Sequence, residues 1–534
     1  MKTTLRNLTV TWPLAVCLLL PALAHAETVV QAWAQRYNGP ENGISAAKAM
    51  AVDGSNNVVV TGYSSGSGGD YDYATIKYSA AGVPLWTNRY NGPGNTNDQA
   101  TAVAVDGNGD VVVTGYSTGS IHPPYPNPFT DYATIKYSSA GVPLWTNRYH
   151  GPGNADDGAT ALVVDASNNV IVTGYSAGTS FGYPFTDFAT IKYSSTGVPL
   201  WTNRYNGPAG TVDQANAVAV DASNNVIVAG FSTGTNSTGR HYTAIKYSSA
   251  GTPLWTNRYN GSEQFGFDEV IALAVDSSNN VVVTGYVAGE TSYDYATIKY
   301  SSAGVPLWTN RYNGPADGED WANAVVTDSS NNVIVTGFSD NGEGDWDYAT
   351  VKYSSAGIPL WTNRYNGSGN SADDPVAVAV DASGNVIVAG FSVGSGSGAD
   401  YLMIKYSSAG VPLWTNRYNG PGNTDDYAMT MALDHSGNII LTGYSGDSGG
   451  ISFLTVKYIC VPSPVTTGLK LTNGTFQMRV DDVLQSGTLV IEASSGLTGW
   501  APVFTNTTPT NVLFYIDPEA GSSPTRFYRV FQFP

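Results

Sequence analysis

Short apolar runs set the pattern of this chain. From Trp33 to Tyr458 they come in sets of four, each four to six residues long, separated by clusters of Asp, Asn, Gly and Ser. One set is Ala102–Val105 (AVAV), Val111–Tyr116 (VVVTGY), Tyr132–Tyr137 (YATIKY) and Leu144–Tyr149 (LWTNRY). Runs this short, rich in Val, Ile, Thr and Tyr and bounded by turn formers, predict β-strands rather than helices. D-G-N-G-D here, and D-x-S-N-N in most copies, joins the first two runs; S-S-A-G joins the last two. Both suit hairpins, because Asp and Asn bond the local backbone and Gly and Asn tolerate positive φ. The set recurs every 53 to 59 residues, marked by Trp33, Trp86, Trp145, Trp201, Trp255, Trp308, Trp361 and Trp414. A fixed period of that size predicts an array or a propeller.

Connection length sets the phase. Around NGPGN the link from NRY to the next AVAV is the longest constant connection, so it is expected to cross from the outer edge of one unit to the centre of the next. Eight four-stranded antiparallel blades follow, with AVAV innermost and WTNRY outermost. The repeats begin on an outer-type strand, Trp33–Tyr37, and end on a third-type strand at Tyr458. The N-terminal strand is therefore expected to complete the eighth blade and to remove the free edge of an open array. After Tyr458 the sequence ICVPSPVTTG predicts a linker at 459–468, and 469–534 holds strand-like runs including FQMRV, TLVIEAS, VLFYI and RFYRVFQF. The expected fold class is all-β: an eight-bladed β-propeller over 27–458 and a small C-terminal β-sandwich over 469–534.

The recurrent residues resemble the bacterial secreted β-propeller repeat family known as SBBP. Its A-V-D-x-x-G-N-x-x-V-x-G pattern is matched from Ala379, Val380 and Asp381 through Gly384 and Asn385 to Gly390, and its K-x-x-x-x-G by Lys405 and Gly410. The resemblance implies the fold and carries no common catalytic motif. The blade count and the repeated Trp also look like the pyrroloquinoline-quinone dehydrogenases, but this chain lacks their adjacent Cys pair and catalytic insertion. Glu492–Trp500 and Arg526–Val530 are similar to a β-sandwich tail of secreted proteins from environmental bacteria, which implies a docking module or a folding cap.

Residues 1–26, with Lys2 and Arg6 before an apolar run and Ala24-His25-Ala26 at its end, read as a secretory signal peptide. An extracellular or periplasmic protein is expected, with no membrane span and as a monomer. Cys17 leaves with that segment, so Cys460 has no intramolecular partner. The formal charge is −18. Most Lys and Arg belong to the repeated NRY and IKY elements; within the propeller only Lys48 and Arg240 stand outside them. No basic patch exists for nucleic acid, and neutral glycans or cations suit this field better than anions.

Three Asp recur. Asp53, Asp106 and their equivalents end the inner strands, where a backbone-bonding role is expected. Asp98, Asp157, Asp213, Asp268, Asp320, Asp373 and Asp426 lie eight residues earlier. They are expected either to accept N–H groups of the crossing loop or to ring the channel mouth. The functional alternative is binding of a hard cation such as Ca²⁺, but no D-x-D-x-D-G loop gathers the carboxylates, and no cofactor is expected. Asp72, Asp131, Asp187, Asp294, Asp347 and Asp400 precede the third strand; pairing Tyr78 with Val83 would set Asp72 opposite Arg89.

Residues that break the repeat mark candidate sites. Blade six holds the two extra Trp of the propeller, Trp321 and Trp346, beside Asp320, Glu343 and Asp345. Indoles beside carboxylates would stack on a sugar and bond its hydroxyls; the plain alternative is loop packing. The long loops of blades two and three carry Tyr125, Phe129, Phe181, Tyr183 and Phe185, an aromatic ridge suited to a protein or polymer partner, or two loops packed on each other. His122, His150, His241 and His435 are scattered, with no H-E-x-x-H and no G-x-S-x-G. The expected function is a secreted, non-catalytic binding or scaffold protein for a glycan or protein partner. An extracellular polysaccharide-acting enzyme with loop carboxylates is the second reading, and a quinone-dependent dehydrogenase the third.

Overall fold

The computed structural model describes residues 27–66, 68–119, 129–153, 155–178, 185–235, 239–261, 266–447, 450–462, 465–472, 475–481, 488–494, 501–507, 512–517 and 527–533. These divide into two compact units, one spanning Val29–Cys460 and the other combining residues 27–28 with those from Val461 onward.

The first unit is an eight-bladed propeller. Seven sheets are four consecutive antiparallel strands; blade six is Asp320–Thr327, Val333–Asp340, Trp346–Tyr353 and Pro359–Tyr365. The eighth sheet takes Asp426–Leu433, Ile439–Asp447 and Gly450–Pro462, with the N-terminal strand Glu27–Tyr37 as its outer member. The second and third strands are buried on both faces, which is why they read as near-continuous apolar runs; in blade six Val333, Ile334, Val335, Tyr348, Ala349 and Val351 are core. Each such core is shared between neighbouring blades. Val282 and Tyr295 of blade five, for example, pack with Val333, Val335 and Ala349 of blade six.

Two irregularities recur. Every inner strand slips register once, as between Ala322 and Ala324 in blade six. The third-to-outer pairing slips before the hairpin, between Lys77 and Tyr78 in blade one, so Tyr78 faces Pro84 and Arg89 faces Ala74. The expected register with Tyr78 opposite Val83 is therefore corrected by a bulge. The ion pair it was meant to explain still forms diagonally: Arg89–Asp72 and Arg148–Asp131 are both 2.7 Å.

The repeated Lys bonds the inner-turn Asp, as in Lys299–Asp276 at 2.8 Å with both side chains at most 2% exposed. The same carboxylate accepts the Ser278 and Asn280 N–H groups, each at 2.9 Å. The repeated Trp reaches the next blade: Trp86 Nε1 donates to Ser139 O at 3.1 Å. Seven of the eight outer strands open on Pro, as at Pro84 and Pro306, so one backbone donor is missing from each of those exposed edges.

The second unit holds two three-stranded sheets. Val465–Thr472, Thr475–Asp481 and Leu513–Asp517 form one, and Ala501–Asn506, Thr488–Ser494 and Phe527–Phe533 the other. Met478, Val480, Leu489, Ile491 and Tyr515 cluster as their core. The segment expected as a linker, 459–468, is strand on both sides of 463–464. Among the described residues no helix is long and apolar enough to cross a membrane.

Candidate binding cleft on blades four to six

The residue after the recurrent Asp at the head of the inner strand faces an aromatic of the second strand, the one that follows Gly. Gln99 faces Tyr116, Gln214 faces Phe231, Glu269 faces Tyr286 and Trp321 faces Phe338. In blades five and six this register brings aromatic rings together at one cleft. Trp321 stacks on Tyr286 of blade five with centroids 4.2 Å apart and planes at 21°. Phe338 lies 5.5 Å away on a tilted plane, and Trp346 continues the row 4.7 Å from Phe338. Tyr293 stands edge-on to both Tyr286 and Trp321.

The row runs into an open cleft of about 260 Å³, lined by Arg240, Phe267, Tyr286, Tyr293 and Trp321. Arg240 is anchored from behind: its Nη1 lies 2.8 Å from Glu269 Oε2, which also accepts the Tyr286 hydroxyl at 3.0 Å. Glu269 Oε1 takes Asn216 Nδ2 at 3.0 Å, so the carboxylate is held from three sides. Burial, then the Glu269 charge, raise the Tyr286 phenol and keep it protonated. The Arg240 guanidinium lies 4.0 Å from the Phe231 centroid, a cation–π contact that fixes its plane. Phe267, 54% exposed, and the Trp321 indole N–H, buried without a hydrogen-bond partner, are the groups this cleft leaves over.

The structure sorts the sequence candidates. Trp321 packs against the Tyr286 ring on one side and beside the tilted Phe338 ring, and it lines the cleft. Trp346, 39% exposed, ends the row and keeps a free surface. Glu343 stays at the surface, where its Oε2 accepts Asn370 Nδ2 at 2.8 Å; Asp345 lies beside Trp346 and its carbonyl accepts the Asn341 N–H at 3.0 Å. Asp320 does not join them. It is fully buried and accepts the Gly314 N–H at 2.6 Å, and burial pushes its carboxyl up to about 6. Its equivalents do the same: Asp98 takes Gly92 N–H at 2.6 Å and Thr118 N–H at 3.0 Å. These carboxylates serve the crossing loop and do not ring an open mouth.

At the other candidate site, Tyr125, Phe181 and Tyr183 lie outside the described residues. Phe129 and Phe185 close the loop bases through their carbonyls, which accept Gly119 N–H at 2.7 Å and Gly178 N–H at 2.8 Å. Nearby, Asp131, His150 and Asp157 present ligand atoms within 4.8 Å of one another. Asp131 is already held by Arg148 at 2.7 Å and Asp157 by the Gly151 N–H at 2.6 Å, so a metal would have to displace protein donors.

Arg240 stood out in the sequence as a charge outside the repeat. Phe267, Glu269 and Tyr286 did not. Tyr286 repeats in kind around the ring and read as scaffold; the signal for the other two was the one-off QFGFDEV where other blades carry small or amide residues.

No family model matches the chain. It is 22% identical over 456 residues to an uncharacterised WD repeat-containing protein of Acanthamoeba polyphaga mimivirus, covering 69% of this chain and 31% of that protein. The chain thus spans under a third of that relative's length. Among solved structures it is similar to Sqt1 from Chaetomium thermophilum, with a TM-score of 0.48 and 11% identity over 80% of this chain and 99% of that one. It is also similar to the polysaccharide lyase Uly1, with a TM-score of 0.43 and 10% identity over 69% and 92% of the two chains. The β-propeller domain of the Trilobed protease from Pyrococcus furiosus matches with a TM-score of 0.38 and 7% identity over 67% and 92%. The chain is an eight-bladed propeller repeat protein.

Proposed function

We propose that this is a secreted, non-catalytic binding protein that holds a neutral glycan in the cleft of blades four to six. The observation that carries the reading is the Trp321 indole N–H, buried and unpartnered in a wall of aromatic rings beside an anchored Arg240. Buried donors are nearly always bonded, so one left over beside a cleft calls for an acceptor from a ligand. Sugars offer hydroxyl acceptors and apolar C–H faces together, the pairing this lining suits. Arg240 already has its counter-ion in Glu269, and the chain carries −18, so an anionic glycan is disfavoured. The described lining presents no pair of carboxylates at glycosidase separations, which favours holding over hydrolysis.

Secretion rests on residues 1–26 and on the SBBP resemblance. The same reading takes Glu27–Tyr37 as the strand that closes the ring and the two C-terminal sheets as a β-sandwich. Calorimetric titration of residues 27–534 against neutral glycans tests it. Saturable binding is expected, weakened about tenfold in Phe267→Ala and in Trp321→Phe, which keeps the ring and deletes the N–H. Absence of binding by the wild type overturns the reading, and release of reducing ends would replace it with a hydrolase.

A further inference from the structure

Beside this cleft lies a second lobe of about 280 Å³, lined by Thr211, Val212, Thr233, Gly239, Arg240 and Phe267. The two lobes share Arg240 and Phe267, so they are neighbours that meet at a saddle made by these two side chains. Small-ligand sites typically enclose about 300–1,000 Å³. Either lobe alone, at about 260 or 280 Å³, falls below that range, and the two together reach it.

The saddle is built to hold its shape. Arg240 N–H donates to Gly266 O at 3.0 Å and Asp268 N–H to Arg240 O at 3.1 Å, a parallel bridge between the first residue of the strand Arg240–Tyr247 and the segment around Phe267. The guanidinium sits 4.0 Å from the Phe231 centroid and 5.4 Å from that of Phe267.

Each lobe also keeps one buried polar atom without a hydrogen-bond partner. In the first it is Trp321 Nε1; in the second it is Thr211 Oγ1. Thr233, also in this lining, turns its own hydroxyl hydrogen to Val212 O at 2.6 Å, and Thr211 Oγ1 stays unpartnered. The groove thus presents a polar atom, an aromatic and cationic saddle, then a second polar atom.

We infer that the ligand is a neutral glycan of at least two sugar units, one in each lobe, with its linkage over the Arg240–Phe267 saddle. One unit accepts a hydrogen bond from Trp321 Nε1 and the other bonds Thr211 Oγ1. This rests on the first lobe being a glycan site.

A length series separates the two claims. Neutral β- and α-linked hexose oligomers of one to six units are titrated by calorimetry into the mature chain and into Thr211→Val, Thr233→Trp and Trp321→Phe. The disaccharide is expected to bind about tenfold tighter than the monosaccharide. Thr211→Val and Thr233→Trp should remove that gain. Replacing an unpartnered hydroxyl by a methyl group should leave the thermal midpoint level or slightly raised, so lost affinity in Thr211→Val would not reflect unfolding. Affinity independent of length, with Thr211→Val silent and Trp321→Phe still weakened, overturns the second lobe and spares the first. No binding at any length overturns both.

Discussion

Asp268 and Asp276, eight residues apart in blade five, carry opposite electrostatic loads. Burial works to raise both. At Asp276 the Lys299 ammonium, then the Asn280 side chain and N–H, overcome it and hold the carboxyl below its usual range. At Asp268 the Gly261 and Ala288 N–H groups oppose burial without overcoming it, and the carboxyl is raised. The signs follow by linkage. Asp276 contributes stability above the ordinary carboxylate range, lost as pH falls through its depressed value. Asp268 contributes stability below that range, lost as pH climbs through its raised one. The Lys299–Asp276 pair is nearly inaccessible, so removing one partner strands a charge. Lys299→Met is expected to cost about 3–5 kcal/mol in denaturant unfolding, and Lys299→Met/Asp276→Asn distinctly less. Equal losses in the single and double variants would show that the lysine acts by packing alone.

The hairpin between the third and outer strands is where blades lock. Gly304 has φ +83°, and a Cβ there would lie 2.6 Å from Trp255 Cγ of the preceding blade. Trp255 Nε1 donates to Ser302 O in the same turn, at 3.2 Å. The turn thus needs Gly twice, for its left-handed backbone and for the indole seated on it. Gly304→Ala is expected to destabilise by about 2–4 kcal/mol. Trp255→Ala should relieve the clash, so the double variant costs less than the sum of the singles. Additive losses would show that the indole seat contributes nothing.

Strands and turns were legible because their determinants lie within one repeat: apolar runs, Asp-Asn and Ala-Gly turns. The bulge before Tyr78 was not, since nothing in YATIKYSAAGVPLW distinguishes a paired Val83 from a paired Pro84. The role of Trp321 was hidden for a related reason. Its covering ring, Tyr286, comes from the neighbouring blade and belongs to a position that repeats around the ring. Sorting by repetition finds the residue that departs and misses the common residue that it recruits.

At the scale of the molecule, the N-terminal strand pairs into the last sheet of the repeat array. In the eighth sheet Glu27–Tyr37 is the outer strand, some 400 positions in sequence from its neighbour Gly450–Pro462. Its side chains fasten both blades that meet there. Trp33 Nε1 donates to Ala80 O of blade one at 3.1 Å, repeating the lock of Trp86 on blade two. Arg36 Nη2 donates to Ser445 Oγ of blade eight at 2.6 Å, and Tyr37 packs edge-on against Phe453 with centroids 5.6 Å apart. Blades one and eight also share a core in which Ala47, Val58 and Val60 meet Ile440 and Phe453. A chain lacking residues 27–37 keeps that shared core but loses the Trp33 lock and bares the edge of Gly450–Pro462, an open template for pairing with other chains. Its thermal midpoint is therefore expected to fall by about 5–10 °C, with concentration-dependent association in light scattering. A synthetic peptide of residues 27–37 should reverse both effects by mass action as its concentration rises. An unchanged midpoint in the shortened chain would mean that the blade-one to blade-eight core holds the ring by itself, and that the N-terminal strand is ornament to the fold.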